Sequence, residues 1–281
     1  MSDTPPTSTK KPPRILTIAG SDSSGGAGIQ ADIKTIAMLG GYAMSAITTV
    51  TAQNSVGVQA IAPMSGTAVA QQITACIDDI GVDAIKIGMV HDPEIIGAVA
   101  EAITRGGSAL KVPIVLDPVM VATSGANLIT PDAIAAMREL LFPVATLLTP
   151  NLPELENLVE RKLRTSTEMA SGAEELANLT GAAVLAKGGH TEDERIFDVL
   201  YDPDIEKGAR AIHFEHARIE TQHTHGTGCT LSSAIATLLA HGQPLEHAVR
   251  LGRNFVIQAI QAAPGYGAGN GPLGHHAVRS L

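Results

Sequence analysis

Beyond Arg14 the chain alternates between short runs that are apolar at nearly every position and longer stretches whose apolar residues recur every three or four positions. Continuous short runs suit strands buried on both faces, and the longer spacing suits helices packed by one face on a sheet. The pattern predicts strands over 15–19, 46–51, 84–87, 113–116, 146–148 and 182–186. It predicts helices over 27–39, 67–80, 93–104, 131–141, 168–179, 230–240 and 245–262. Two later runs, 195–201 and 211–219, read as strands of a hairpin or sheet edge, and the tail from Pro264 reads as a Gly-rich loop. Strand and helix in alternation describe an α/β fold, a single doubly wound, mostly parallel sheet covered by helices on both faces. No charged linker, composition break or repeat follows Pro13, so one domain is expected over 14–281, after a disordered Pro-rich leader over 1–13.

Composition narrows the functional classes. Of 281 residues, 44% are hydrophobic and 17% charged, an ordinary globular balance with three Tyr, four Phe and no Trp. A net charge of −9 and the lack of a basic cluster beyond Lys10 and Lys11 argue against nucleic acid as a partner. Cys76 and Cys229 fit no metal or disulfide spacing, which suits a reducing compartment; the expected location is the cytoplasm. No apolar run reaches the ~18 residues of a membrane span, and the leader has no hydrophobic stretch of signal-peptide length.

Ligands of open α/β sheets collect at the carboxyl ends of the strands. The unusual loops of this chain all follow predicted strands: residues 20–28, Thr51-Ala52-Gln53-Asn54, Gly88-Met89, Asp117-Pro118, Thr149-Pro150-Asn151 and Lys187-Gly188-Gly189-His190. Each alone is an ordinary strand-to-helix turn; six polar or Gly-rich loops at one edge point to a site. A P-loop fails, because Gly26 stands where Lys is required after Gly20 and Gly25. Gly26-Ala27-Gly28-Ile29-Gln30-Ala31 satisfies a dinucleotide fingerprint, but nothing acidic lies between Asp32 and Asp78 to hold a ribose. His225-Gly226-Thr227-Gly228-Cys229-Thr230 precedes a helical stretch, and two glycines there let backbone N–H groups converge on an anion at the helix N-terminus. A thiol in that position is expected to have a lowered pKa, making Cys229 a candidate thiolate or proton acceptor; the alternative is a Gly-rich helix start with a buried cysteine.

With these loops the chain resembles the hydroxymethylpyrimidine and phosphomethylpyrimidine kinases of thiamine biosynthesis, in the ribokinase-like superfamily. The resemblance rests on residues 17–32, Thr51-Ala-Gln-Asn54, Lys86-Ile-Gly-Met89, Leu116-Asp-Pro-Val-Met120, Thr149-Pro-Asn-Leu-Pro-Glu154, Lys187-Gly-Gly-His190 and Thr224-His-Gly-Thr-Gly-Cys229, in family order. It implies a ribokinase-like fold, ATP with Mg²⁺, a homodimer, and two successive phosphorylations of a hydroxymethylpyrimidine. Carried over by position, it places Gly226, Thr227, Gly228 and Cys229 at the anion hole under the γ-phosphate. Many superfamily kinases have an Asp general base at the last of these; Cys229 stands there as in the pyrimidine kinases. Lys187 and Asn151 are implied on the nucleotide and Asp117 and Glu154 on Mg²⁺, an ion that takes one or two carboxylates beside phosphates. Gln53, whose amide both donates and accepts, is implied on the aminopyrimidine edge, with Gly20, Asp32, Met89 and Val119 around it.

Read without the resemblance, Asp117 is a turn residue, Glu154 a first-turn acid, Asp32 a solvated helical residue, and Met89 and Val119 core. The histidine groups His223/His225, His213/His216 and His275/His276 carry no zinc signature, and no G-x-S-x-G occurs. Two other readings share the pocket: a pyridoxal or pyridoxine kinase of the same fold, and a non-catalytic pyrimidine sensor. Residues 122–126 and the Gly-rich tail are candidates for movement over the site.

Overall fold

The computed structural model describes residues 11–104, 110–120, 129–189, 195–203 and 210–278. The leader up to Lys10, the candidate mobile segment 122–126 and His190 lie outside the described residues. Nine strands are described: β1 (Arg14–Asp22), β2 (Tyr42–Gln53), β3 (Val58–Pro63), β4 (Ala84–Ile87), β5 (Ile114–Leu116), β6 (Leu147–Leu148), β7 (Ala183–Ala186), β8 (Arg195–Asp202) and β9 (Arg210–Ala217). They form one sheet in the order β3-β2-β1-β4-β5-β6-β7-β8-β9. The six strands from β2 to β7 in that order are parallel, while β3, β8 and β9 pair antiparallel at the two edges.

The helices are α1 (Gly28–Met38), α2 (Gly66–Ala75), α3 (Pro93–Ile103), α4 (Pro131–Leu140), α5 (Leu152–Leu158), α6 (Ser166–Thr180), α7 (Thr227–Ala240) and α8 (Leu245–Gln261). Alternate strand residues feed two cores. Leu16, Ile18, Ile85, Ile87, Leu116, Leu148 and Val184 pack with residues of α2 to α6. Ile15, Ala84, Val115, Leu147, Ala183 and Leu185 pack with Ile36 of α1, Ile235 of α7 and Val249 of α8. Two-sided burial is why these strands are continuously apolar, and it confirms the doubly wound reading.

Three differences from the sequence expectation have physical causes. Strand β3 was not predicted: five of its six residues are exposed, so an edge strand outside the helical layers carries no burial pattern. Helix α5 is absent from the helices read from periodicity because it is only seven residues long, although Glu154 is expected as a first-turn acid and the Asn151/Glu154 capping box and Pro153 mark its start. The stretch 67–80 is not one helix: α2 passes into a π turn over Cys76–Ile80, stopped by Gly81 at φ 82°.

Candidate active site

The carboxyl ends of the parallel strands enclose a cavity of about 1050 Å³. Its two walls meet where glycine backbones touch. Gly226, at φ 88°, is the N-cap of α7, and a Cβ there would lie 1.9 Å from the Gly26 carbonyl oxygen. Gly28, at φ 56°, opens α1, and its Cβ would lie 2.2 Å from the Gly20 oxygen. Only glycine permits both approaches. Helix α7 therefore starts at Thr227, three residues before the expected Thr230, and Thr227, Gly228 and Cys229 form its first turn. The N–H groups of a first turn have no intrahelical acceptor, and the helix dipole adds positive potential there.

Asp22 ties the two loops together. Its carboxylate accepts from the backbone N–H groups of Ser24, Gly26 and Ala27 and lies 2.8 Å from Nε2 of His225. Burial alone would raise its pKa, but His225, the Ser24 hydroxyl and the Ala27 and Ser24 N–H groups hold it at about 2. Gln53 closes the same corner: its amide nitrogen is 3.3 Å from His225 Nε2, and its Oε1 accepts from the Thr51 hydroxyl at 3.2 Å. Met89, Val119 and Gly20 line the cavity with it. Neither Asp22 nor His225 stands out in the sequence; a histidine beside the anion loop reads there only as half of an H-x-H pair.

Opposite Gly228 lie a carboxylate and an ammonium. A side chain at Gly228 would meet Asp117 Oδ2 at 3.2 Å and Lys187 Nζ at 3.3 Å. Asp117 Oδ1 accepts from Lys187 Nζ at 2.8 Å and from the Thr149 hydroxyl at 2.9 Å. Asn151, the N-cap of α5, bridges to Lys187 through its backbone and binds Glu154 through its side chain. Glu154 is buried, and Asn151 N–H donates to its Oε2 at 2.8 Å. Burial, with Asp117 adding to it against Lys187, pushes the Glu154 carboxyl up to about 7.

Two expectations are corrected. Asp32 is on neither the cavity wall nor a solvated face. It is fully buried beneath the anion loop, 2.9 Å from Lys86 Nζ, and accepts from the Thr17 and Ser233 hydroxyls at 2.5 and 2.7 Å. Lys86 itself was not singled out, although a lysine inside a four-residue strand buried on both faces demands a buried partner. Cys229 lines the cavity, but its thiol is not lowered. Burial pushes it up to about 11; Asp32 and Asp117 push the same way, and Lys86 and the Gly28 N–H oppose them only in part. Cys229 is a thiol at neutral pH.

Comparison with known proteins identifies the family. The family model for phosphomethylpyrimidine kinase matches residues 22–274. The chain belongs to the phosphomethylpyrimidine kinase family. A hydroxymethylpyrimidine/phosphomethylpyrimidine kinase of Bacillus subtilis is 41% identical over 95% of this chain and 96% of its own. The thiamine biosynthesis bifunctional protein ThiED of Geobacter sulfurreducens is 44% identical over 93% of this chain, which spans only 52% of that longer protein. A solved structure, an ADP complex of Bacillus subtilis pyridoxal kinase, superposes with a TM-score of 0.84 at 38% identity, covering 94% of this chain and 98% of that one. The fold is thus ribokinase-like, and family membership makes the protein a phosphotransferase. Within this phosphomethylpyrimidine kinase fold, every site residue expected from the sequence except Asp32 lines the one cavity.

Proposed function

We propose that the protein phosphorylates 4-amino-5-hydroxymethyl-2-methylpyrimidine with ATP, and then phosphorylates the monophosphate to the diphosphate for thiamine biosynthesis. The observation that carries this reading is the first turn of α7 facing Asp117 and Lys187, with the Gln53 amide in the same cavity. One end suits a transferring phosphoryl group and the other an aminopyrimidine edge. The relatives' names and the ADP held by the related pyridoxal kinase support the same substrates.

In this reading the N–H groups of the α7 first turn and the Lys187 ammonium take up charge on the transferring group, the largest contribution to phosphoryl transfer. Asp117 Oδ2 and Glu154 fit Mg²⁺: both are buried carboxylates beside the phosphate position, and the ion needs few protein ligands where phosphates and water supply the rest. Bound there, Mg²⁺ would neutralise phosphate charge. The substrate hydroxyl gives up its proton as the phosphoryl group moves, and Cys229 is the group of the anion loop placed to take it in the fraction of molecules whose thiol is ionised. Gln53, held by Thr51 and set against His225, orients the ring so that the hydroxymethyl group points at the anion loop.

We further propose a kinase unit over 14–281 in a cytoplasmic homodimer. Both cysteines are unpaired thiols, and no helix among the described residues is long and apolar enough to cross a membrane. The edge formed by β2 and β3 exposes Val50 on one face and Ile61 on the other, with Val56 in the turn and Met64 just past β3, apolar side chains along an edge strand that a second copy could cover. The deciding assay compares ADP release from ATP and Mg²⁺ with the hydroxymethylpyrimidine, its monophosphate and pyridoxal. Turnover on both pyrimidines is expected; turnover on pyridoxal alone would move the assignment to that vitamer, and tight pyrimidine binding without turnover to a sensor.

A further inference from the structure

The turn that follows Lys187 is held by a buried ion pair for which the chemistry above has no use. Gly188 N–H donates to Asp198 Oδ1 at 2.9 Å, and Asp198 Oδ2 accepts from Arg253 Nε at 2.7 Å. Asp198 comes from β8 and Arg253 from α8, and they are 6% and 7% exposed. The second arm of the guanidinium, Nη2, meets Nδ1 of His216 on β9 at 2.7 Å, and the guanidinium carbon lies 5.2 Å from the centre of the Phe214 ring. The Gly188 backbone packs closely on β8, where an added Cβ would lie 1.9 Å from the Phe197 carbonyl oxygen. Asp198 and His216 both border the cavity.

A buried ion pair contributes little net stability, since desolvation cancels most of the attraction, so what this pair holds in place is the better guide to its use. Here one carboxylate oxygen is taken by Arg253 and the other points at the backbone next to Lys187. The strand order sets this assembly apart from the pyrimidine corner: β7 and β8 lie beyond β4, β5 and β6 from β1 and β2, which carry Gly20 and Gln53. We infer that the Asp198–Arg253 pair is a positioning device for the nucleotide half of the cavity. Arg253 orients Asp198, Asp198 fixes the Lys187-Gly188-Gly189 turn, and the Lys187 ammonium is thereby kept at the phosphate position beside Asp117. The pair sets affinity for the nucleoside triphosphate and leaves pyrimidine recognition alone. This inference rests on the kinase reading of the site.

Two charge-free double variants separate positioning from folding. Asp198→Asn with Arg253→Met keeps an oxygen for Gly188 N–H, whereas Asp198→Leu with Arg253→Met removes it at similar volume. Binding of a non-hydrolysable ATP analogue with Mg²⁺, followed by calorimetry, is expected to be about tenfold weaker in the Leu variant than in the Asn variant. Hydroxymethylpyrimidine binding should match in the two, and in turnover the KM for ATP should rise with that for the pyrimidine unchanged. Equal analogue affinity in the two variants, or a matching loss of pyrimidine affinity, overturns the inference. If the Leu variant fails to fold, Asp198→Ala with Arg253→Met makes the same comparison. A parent protein that binds the analogue yet releases no ADP with either pyrimidine overturns the proposed function alone, and the affinity ratio still decides the inference. A parent protein that does not bind the analogue overturns both.

Discussion

Cys229 joins two opposing effects in one side chain. A first-turn position favours a thiolate, but burial, with Asp32 and Asp117 adding to it, outweighs Lys86 and the Gly28 N–H and leaves the thiol at about 11. If Cys229 takes the substrate proton, its competent fraction grows with pH throughout the neutral and alkaline range. Turnover is then expected to climb between about pH 8 and 10, and Cys229→Ala to flatten that climb and lower kcat on the order of 10²-fold. ADP release at saturating substrate across pH checks this; a climb that survives in the Ala variant assigns the proton elsewhere. Glu154 gives a stability prediction of the opposite kind. Its folded pKa, about 7, exceeds the ordinary 4.5, so it favours the folded state while protonated. That contribution is intact below the ordinary value and lost as pH rises through about 7. Without nucleotide or Mg²⁺, Glu154→Gln should therefore be more stable than the parent at about pH 8, by on the order of 2 kcal/mol, and no more stable at about pH 4. Thermal melts at the two pH values test it, and equal melting at the higher pH would show that Glu154 ionises freely.

Among the elements, the start of α7 matters most. The glycines around it mark an anion loop in the sequence, but where the helix begins depends on Gly226 turning left-handed against the Gly26 carbonyl. Gly226→Ala is expected to cost about 3 kcal/mol or more in urea unfolding and to abolish turnover, since the Cβ has neither the backbone conformation nor the space. A loss under 1 kcal/mol would mean the loops separate without cost. The parallel strands were legible because both their faces are buried, which leaves a continuous apolar run. Strand β3 was not, since an exposed edge is held by backbone hydrogen bonds to β2 that any residue type can make. The first-turn position of Glu154 is legible in the sequence and the structure adds its reciprocal capping box with Asn151.

For the whole molecule, the β2–β3 edge is where the proposed second copy packs. A homodimer through this edge predicts that Ile61→Glu shifts the protein to a monomer in sedimentation, because a charge has to be buried without a partner. A dimer that persists unchanged would place the contact on another surface. Much of the molecule follows from sequence alone: the alternation of strands and helices, the edge of the sheet that carries the loops, and the glycine loop as an anion site, whereas the roles of Lys187, Asp117 and Gln53 came only with the family resemblance. The first three are short-range properties, written in residue type and spacing. Tertiary structure alone decided which groups share an environment. It sent Asp32 under the floor to Lys86, joined Asp22 to His225 across the chain, and turned the Cys229 pKa upward. Charge, burial and pKa depend on distances between residues far apart in sequence, and those distances exist only once the two helical layers have closed on the sheet.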